Sequence, residues 1–153
     1  MNFGVNLKRS DGEIAAASYE DTRVSDETEL FRLKLGKFNL ECGTLGDSLR
    51  GDSYSRSYNS RNIAKTTHDE MHFSTRDKDN DAFSGNCAAI EKSGWWYNRC
   101  SAANLNAPMS NASENGIFSP DGVNWQSFSG LQTLSLQETE ISLLPSGWNF
   151  SFC

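Results

Sequence analysis

The sequence predicts an α+β fold with more strand than helix. A two-residue period of apolar side chains, typical of half-buried strands, recurs at Val5/Leu7, Leu33/Leu35, Leu134/Leu136 and Ile141/Leu143. No strong amphipathic helix, heptad pattern or internal repeat accompanies it. The sequence has 153 residues, of which 37% are hydrophobic and 22% charged, which fits one domain with its own core.

Glycines and polar stretches separate the predicted strands. Gly12, within the segment 10–13, predicts a tight turn between two of them. Residues 47–65 are rich in Ser, Arg, Asn and Tyr and are predicted to form a solvated loop. A basic binding patch is the alternative there, which Asp47 and Asp52 weaken because they dilute the positive charge.

The bulk properties exclude several classes of protein. A net charge of −6 argues against a nucleic-acid partner, because nucleic acids select basic surfaces. No apolar run approaches the length needed to insert in a membrane. Residues 1–9 lack the apolar stretch of a signal peptide, so a secreted protein would have its signal outside this sequence.

The cysteines favour disulfides over zinc. The four cysteines (Cys42, Cys87, Cys100 and Cys153) include no Cys-x-x-Cys pair, and only two histidines are present. An even number of cysteines is compatible with two disulfides and an extracellular setting. Two sequons, which predict glycosylation at Asn111 and Asn149, agree with that setting.

Residues 77–87 include three carboxylates at alternate positions, Asp77, Asp79 and Asp81. Like charges this close repel one another, and a bound cation is the usual remedy. Oxygen-rich loops of this kind are typical of calcium sites. An EF-hand is excluded because its required Gly and Glu are absent in either register. A solvated acidic turn remains the alternative.

Other polar and aromatic residues give weaker signals. Trp95 and Trp96 are expected in the core, with an aromatic ligand platform as the alternative. His68 and His72 are expected to be surface or packing residues. Neither Ser101 nor Ser119 has an adjacent base, and Glu138 and Glu140 fit surface acids better than a catalytic pair, so no enzyme is predicted.

Several motifs together resemble the fibrinogen C-terminal domain family, which includes fibrinogen chains, ficolins, tachylectins, angiopoietins and tenascins. The resemblance covers nearly the whole sequence. Its segments are Arg32 to Gly36, Gly46 to Leu49, Phe73 to Cys87, Gly94 to Cys100, Asn104 to Asn106, Gly122 to Trp125 and Thr139 to Pro145. It implies a mixed, mainly antiparallel sheet with short helices and a loop-rich calcium-binding subdomain.

The resemblance also implies roles for particular residues. Calcium would be bound by the side chains of Asp79 and Asp81 and by the carbonyls of Phe83 and Gly85. Asp77 would be a nearby acid outside the direct ligands. The family disulfide falls on Cys87–Cys100, and the Arg99–Cys100 peptide is expected to be cis.

The ligand pocket beside that peptide departs from the family pattern. Ser101 stands where ficolin-like members have a His, Glu91 where a Tyr or Asp is common, and Ser119 near a usual Tyr. The candidate pocket residues are Glu91, Tyr97, Arg99, Cys100, Ser101 and Ser119. Ficolin-type acetyl-group specificity is therefore not carried over.

The domain is expected to be single, spanning residues 1–153 and lacking the family's N-terminal subdomain. Cys42 and Cys153 lie outside the usual family positions, and an intrachain Cys42–Cys153 bond is the preferred hypothesis. Oligomers would form through regions outside this sequence.

The function implied is that of a calcium-binding extracellular recognition module rather than an enzyme. One interpretation is a lectin-like pattern-recognition protein of innate immunity that binds carbohydrate near the Cys87–Cys100 loop. The alternative is a protein–protein interaction module, as in angiopoietin-like or matrix members, without sugar binding.

Overall fold

A computed structural model describes residues 1–51, 66–109, 122–129 and 136–152. The strands in these residues are β1 (Asn2–Arg9), β2 (Ile14–Tyr19), β3 (Arg23–Val24), β4 (Leu33–Lys34), β5 (Phe38–Cys42), β6 (Ala103–Asn104), β7 (Asn124–Trp125) and β8 (Leu136–Leu144). The short α-helices are α1 (Cys87–Ile90) and α2 (Gln126–Ser129), and 3-10 turns span Glu27–Glu29 and Ser48–Arg50. None of these described helices is long and apolar enough to cross a membrane.

The main sheet has the strand order β5-β2-β1-β8, and all its pairs are antiparallel. The predicted turn at Gly12 joins β1 to β2. Gly12 has a φ of 89°, and its N–H donates to the Arg9 carbonyl over 3.0 Å. A positive φ is readily adopted by glycine, which explains the residue at this turn. The predicted α+β class, with a mainly antiparallel sheet and short helices, is confirmed.

One face of the main sheet packs into the core. Phe3, Val5 and Leu7 of β1 are buried and alternate with Gly4 and Asn6. Strand β2 continues this face, because Val5 pairs with Ala17 and Phe3 with Tyr19. The alternation that predicted a strand in β1 is therefore the alternation between the core face and the opposite face.

The segment after β8 returns across the opposite face of the sheet. It turns at Gly147, and the Asn2 amide then donates to the Trp148 carbonyl over 2.8 Å. The Phe150 ring lies against Gly4, where an added Cβ would come within 2.7 Å of it. The rings of Phe150 and Phe152 stack with centroids 4.9 Å apart. The tail thus covers part of the sheet with its own aromatic side chains.

A second, loop-rich half packs against the core face. It contributes the fully buried Trp95, Trp125 and Tyr97 to the core, while Trp96 is only partly buried against it. The expectation that tryptophans enter the core is thus confirmed for Trp95. Two-stranded sheets, β3-β4 and β6-β7, brace this half.

The predicted solvated loop over 47–65 is wrong at its start. The Asp47 side chain accepts the backbone N–H of Arg50, and the Tyr19 hydroxyl donates to it over 2.6 Å. The turn that Asp47 caps buries Leu49 against the core. The serine- and asparagine-rich composition concealed this single anchoring leucine. Residues 52–65 lie outside the described residues.

Replacing Gly36 by Ala is expected to destabilise the fold by at least about 3 kcal/mol. An added Cβ would lie 1.4 Å from the backbone carbonyl oxygen of Glu20, so the backbone itself must move. Urea unfolding measures the loss. The control is Gly12→Ala, where nothing lies within 4 Å and only the positive φ is strained, which costs about 1–2 kcal/mol. Equal losses in the two variants would contradict the close approach at Gly36.

Candidate calcium loop and ligand pocket

The acidic loop is anchored where it leaves the body of the domain. Ser74 and Trp95 form a reciprocal backbone bridge, with N–H···O distances of 2.9 and 3.1 Å. Asn80 then binds back to this bridge, since its N–H donates to the Ser74 hydroxyl over 2.9 Å and its side-chain amide to the Phe73 carbonyl over 2.7 Å. Residues 76–79, which lie between these anchors, form an exposed loop.

Asp81 organises the second half of the loop. One carboxylate oxygen accepts the N–H of Phe83, and the other accepts the N–H of Cys87, both over 2.8 Å. Asp79 in turn accepts the N–H of Asp81 over 3.2 Å. Burial raises the pKa of Asp81, and the negative charge of Asp79 adds to that rise. Two carboxylates therefore face each other in a loop that is already ordered.

Asp77 is engaged differently. The Thr75 hydroxyl donates to its carboxylate over 2.8 Å, and this bond lowers the pKa of Asp77. The contact ties Asp77 to the start of the loop rather than to Asp81. Its predicted place outside the direct ligands stays a prediction.

The donor set fits calcium. Calcium takes six to eight oxygen ligands from carboxylates, backbone carbonyls and water, and a carboxylate that accepts two N–H groups keeps lone pairs for a cation. Within the described ranges, no group of three or more His, Cys, Asp or Glu side chains is placed to hold a metal. A site here would therefore combine Asp79 and Asp81 with the carbonyls of Phe83 and Gly85.

Gly85 lies in close contact with Phe83 in the same loop. The Phe83 ring packs over Gly85, and an added Cβ at Gly85 would lie 2.9 Å from the ring. Gly85 thus lets the backbone stay close beneath Phe83, between Asp81 and the helix α1.

The disulfide Cys87–Cys100 is confirmed, with an S–S distance of 2.04 Å and Cα atoms 5.5 Å apart. Cys87 opens α1 directly after Asn86, whose amide oxygen caps the helix by accepting the N–H of Ala89 over 2.9 Å. The bond joins the end of the acidic loop to Cys100. The expected cis peptide Arg99–Cys100 is also present. The proposed Cys42–Cys153 bond involves Cys153, which lies outside the described residues.

A buried histidine holds the backbone on the far side of the disulfide. His68 is fully buried, and its Nδ1 lies 2.8 Å from the Trp96 carbonyl. Its Nε2 accepts the N–H groups of Ala102 and Ala103 over 3.1 and 3.2 Å. An Nε2 that accepts has no proton of its own, so Nδ1 donates to Trp96 and the ring is neutral. Burial lowers the pKa of His68 to about 4.

Three of the predicted pocket residues meet in one polar network. The Ser101 hydroxyl lies 2.9 Å from both oxygens of the Glu91 carboxylate. The buried Asn104 amide donates to Glu91 and to the Tyr97 hydroxyl, both over 2.8 Å. Burial raises the pKa of Tyr97 to about 12, so it is a neutral hydroxyl at physiological pH.

Other predicted pocket residues lie apart from this network. Arg99 is exposed, and its Nε donates to the Ala82 carbonyl over 3.0 Å, toward the acidic loop. Ser119 and the sequon residue Asn111 lie outside the described residues, whereas Asn149 is exposed on the tail. Cys100 contributes through its disulfide and backbone.

Sequence reasoning missed three residues that build this site: His68, Ser93 and Asn104. The Ser93 hydroxyl lies 2.6 Å from that of Tyr97. Asn104 belongs to a stretch that supported the family resemblance, but nothing in the stretch pointed to a role for its amide. The only signal in the sequence for these three residues was that they are polar and lie near the apolar, aromatic segment around Trp95.

The family assignment rests on a match along nearly the whole sequence. Residues 1–146 match the family described as fibrinogen beta and gamma chains, C-terminal globular domain. The protein belongs to this family. The family is non-enzymatic, in agreement with the prediction that the protein is no enzyme.

Relatives of the fibrinogen C-terminal domain are similar over most of the sequence. Fibrinogen-like protein 1 of Rattus norvegicus is 37% identical over 135 residues, covering 85% of this chain and 38% of the relative. The fibrinogen gamma chain of Mus musculus is 33% identical over 147 residues, covering 92% of this chain and 32% of the relative. The matched region therefore spans less than half the length of these relatives.

Solved fibrinogen domains share the fold. The fibrinogen-like globe domain of human ANGPTL6 superposes with a TM-score of 0.70 at 31% identity, covering 92% of this chain and 54% of that one. A lamprey fibrin D-dimer, solved with the peptide Gly-His-Arg-Pro-amide, superposes with a TM-score of 0.78 at 27% identity. That match covers 99% of this chain and 47% of the lamprey one.

Acid is expected to destabilise this fibrinogen domain partly through His68. The folded pKa of about 4 lies below the ordinary value of 6.5, so the unfolded state takes up a proton first as the pH falls. The stabilisation is complete above pH 6.5 and is lost between about pH 6.5 and 4, by on the order of 3 kcal/mol. Urea unfolding in excess chelator, at pH 7 and at pH 4.5, measures this loss.

His68→Gln is the matched variant. Glutamine keeps an acceptor and does not titrate, so its loss of stability between the two pH values is expected to be smaller than that of the parent. An identical loss in the two proteins would contradict a buried neutral imidazole.

Proposed function

We propose that this protein is an extracellular recognition domain that binds calcium at its acidic loop and a protein ligand beside the Cys87–Cys100 disulfide. The observation that supports the proposal most is the junction at Cys87. Its N–H donates to the Asp81 carboxylate, and its sulfur joins the peptide that leads into the pocket network. Calcium at the loop would thereby stabilise the position of the pocket.

The calcium site is supported by charge. Burial and the neighbouring Asp79 carboxylate raise the pKa of Asp81, and a divalent cation would offset that repulsion. Fibrinogen C-terminal domains commonly bind calcium. Asp79, Asp81 and the carbonyls of Phe83 and Gly85 would hold the ion, which supplies structural rather than catalytic chemistry.

The protein ligand is supported by the Glu91 carboxylate. Ser101 and Asn104 fix its orientation next to the disulfide, and the neighbouring Ile90 is 53% exposed. An oriented carboxylate beside an exposed apolar side chain favours a cationic group on a peptide or protein. The lamprey fibrin structure holds a peptide that contains arginine, which is the same ligand chemistry.

Carbohydrate binding is the second interpretation of this pocket. No contact of the described residues favours an acetylated sugar over a cationic peptide, and Ser101 replaces the His that ficolin-like members have. Binding of a sugar is therefore one of the outcomes that the ligand test distinguishes.

An extracellular location is part of the proposal. The Cys87–Cys100 disulfide persists in oxidising compartments and is rare in the cytosol. The relatives are fibrinogen and fibrinogen-like proteins. The sequons at Asn111 and Asn149 are the predicted glycosylation sites in that setting.

Calcium is expected to raise the thermal midpoint of the oxidised protein, because a ligand that binds only the native state stabilises it. At a calcium concentration about 100 times the Kd, the gain is about 2.7 kcal/mol. Differential scanning calorimetry with calcium, and then with excess chelator, measures the shift. Asp81→Asn is expected to abolish the shift.

The control is Asp77→Asn, which removes the same charge from the same loop. Because Asp77 is tied to Thr75, this variant is expected to retain most of the calcium-dependent shift. A parent protein that unfolds at the same temperature with and without calcium would contradict the calcium site.

The ligand test compares a peptide with a sugar. Titration calorimetry with Gly-His-Arg-Pro-amide and, separately, with N-acetylglucosamine is expected to show binding of the peptide alone. Glu91→Gln is expected to lower the affinity for the peptide by about tenfold or more, since a hydrogen bond to a charged group is worth about 1.5–3 kcal/mol.

Glu27→Gln is the control for charge, because Glu27 is exposed on a 3-10 turn. This variant is expected to bind like the parent. Binding of the sugar alone would replace the peptide ligand with a lectin function, and an equal effect of both substitutions would exclude a specific role of Glu91.

A further inference from the structure

The peptide unit between Ala82 and Phe83 lies in the middle of the candidate calcium loop. It follows the proposed ligand Asp81, and it leads into the carbonyl of Phe83, which is another proposed ligand. Its N–H group, on Phe83, donates to the Asp81 carboxylate over 2.8 Å. Because a peptide unit is planar, rotation of the whole unit would carry that N–H away from the carboxylate. The orientation of this unit therefore affects the orientation of Asp81.

Arg99 holds the other end of the same peptide unit. Its Nε donates to the Ala82 carbonyl over 3.0 Å, while the N–H of the unit is held by Asp81. The unit is thus bonded through both its acceptor and its donor. A planar group that is held at two opposite ends rotates only if one of the bonds breaks. Arg99 and Asp81 together fix the orientation of the unit.

The segment that carries Arg99 is itself anchored in the body of the domain. Asn98 is buried, and its side-chain amide donates to the Thr67 carbonyl over 3.2 Å. The backbone carbonyl of Asn98 accepts the N–H of Ala82 over 3.1 Å, which fixes the peptide unit between Asp81 and Ala82. The Arg99 side chain therefore extends from a fixed backbone and acts on the next peptide unit of the loop.

The charge of Arg99 opposes a bound cation. The guanidinium stays protonated at physiological pH, and its Nε bonds to a peptide unit that adjoins two proposed calcium ligands. A calcium ion held by those ligands would be repelled by this positive charge. The hydrogen bond from Nε, in contrast, favours the ion because it keeps Asp81 in place. The two contributions have opposite signs, so substitutions can separate them.

We propose that Arg99 is a positioning residue of the calcium site and acts through its Nε donor rather than through its charge. This inference rests on the calcium site proposed above. The guanidinium does not bind the ion. It fixes the peptide unit between Ala82 and Phe83, and this unit orients the Asp81 carboxylate before the ion binds, which lowers the cost of ordering the loop on binding.

Two substitutions separate the donor from the charge. In Arg99→Gln the amide nitrogen lies as many bonds from Cα as Nε of arginine, so a donor remains and the charge is lost. In Arg99→Lys the charge remains, but a methylene group takes the place of Nε. Calorimetric titration of calcium into the oxidised proteins compares them. We expect Arg99→Gln to bind at least as tightly as the parent, and Arg99→Lys about three- to tenfold more weakly, since one hydrogen bond is lost.

The opposite order of affinities would overturn the proposal, because Arg99 would then act through its charge. Equal affinities in the two variants would overturn it as well. Urea unfolding in excess chelator is the control for the fold. Arg99 is exposed, so the free energy of unfolding is expected to be the same in the parent and both variants. A loss of stability in Arg99→Lys as large as its loss of calcium binding free energy would exclude a positioning role.

Amide hydrogen exchange in chelator, followed by NMR, tests the role of Arg99 without calcium. The Phe83 N–H is bonded to Asp81, and it is expected to exchange faster in Arg99→Lys than in the parent, and at the parent's rate in Arg99→Gln. Equal exchange in all three proteins would overturn the proposal. A parent that binds no calcium would contradict the calcium site itself, and the exchange rates would then still decide whether Arg99 holds the peptide unit.

Discussion

A neutral imidazole in the interior is the constraint on which the functional half of the molecule depends. His68 accepts two backbone N–H groups just beyond the disulfide and donates to the carbonyl of Trp96. The two N–H groups lie in the interior and would each cost free energy if left unpaired. A protonated imidazole cannot accept a hydrogen bond. The backbone conformation on the pocket side of the disulfide therefore depends on His68 being uncharged.

The disulfide extends this constraint to the acidic loop. Cys87 lies between Asp81, which accepts its N–H, and Cys100, to which it is bonded. On the other side of Cys100, Ser101 orients Glu91, and the Asn104 amide joins that carboxylate to the Tyr97 hydroxyl. The acidic loop, the disulfide and the pocket are therefore successive parts of one connected arrangement, which supports the proposal that they form a single recognition site.

The sequence was informative where chemistry is local. Three aspartates in five residues indicated the loop, the order of motifs indicated the family and the Cys87–Cys100 bond, and alternation indicated β1 and β8. It could not reveal the role of His68, because its partners lie 28, 34 and 35 residues away. Nor could alternation at Ile141 and Leu143 show that these side chains are exposed, since the period reports the face of a strand and not what packs against it.

The most direct test of the calcium-linked recognition site is a calorimetric titration of calcium into the oxidised, chelator-stripped protein at neutral pH. We predict saturable binding of one ion per molecule, with proton release that grows as the pH is lowered toward the raised pKa of Asp81. A titration without binding heat at several temperatures, in a protein whose circular dichroism shows it to be folded, would contradict this prediction. The acidic loop would then be an ordered turn with no ion, and the pocket would have to hold its shape through the disulfide and His68 alone.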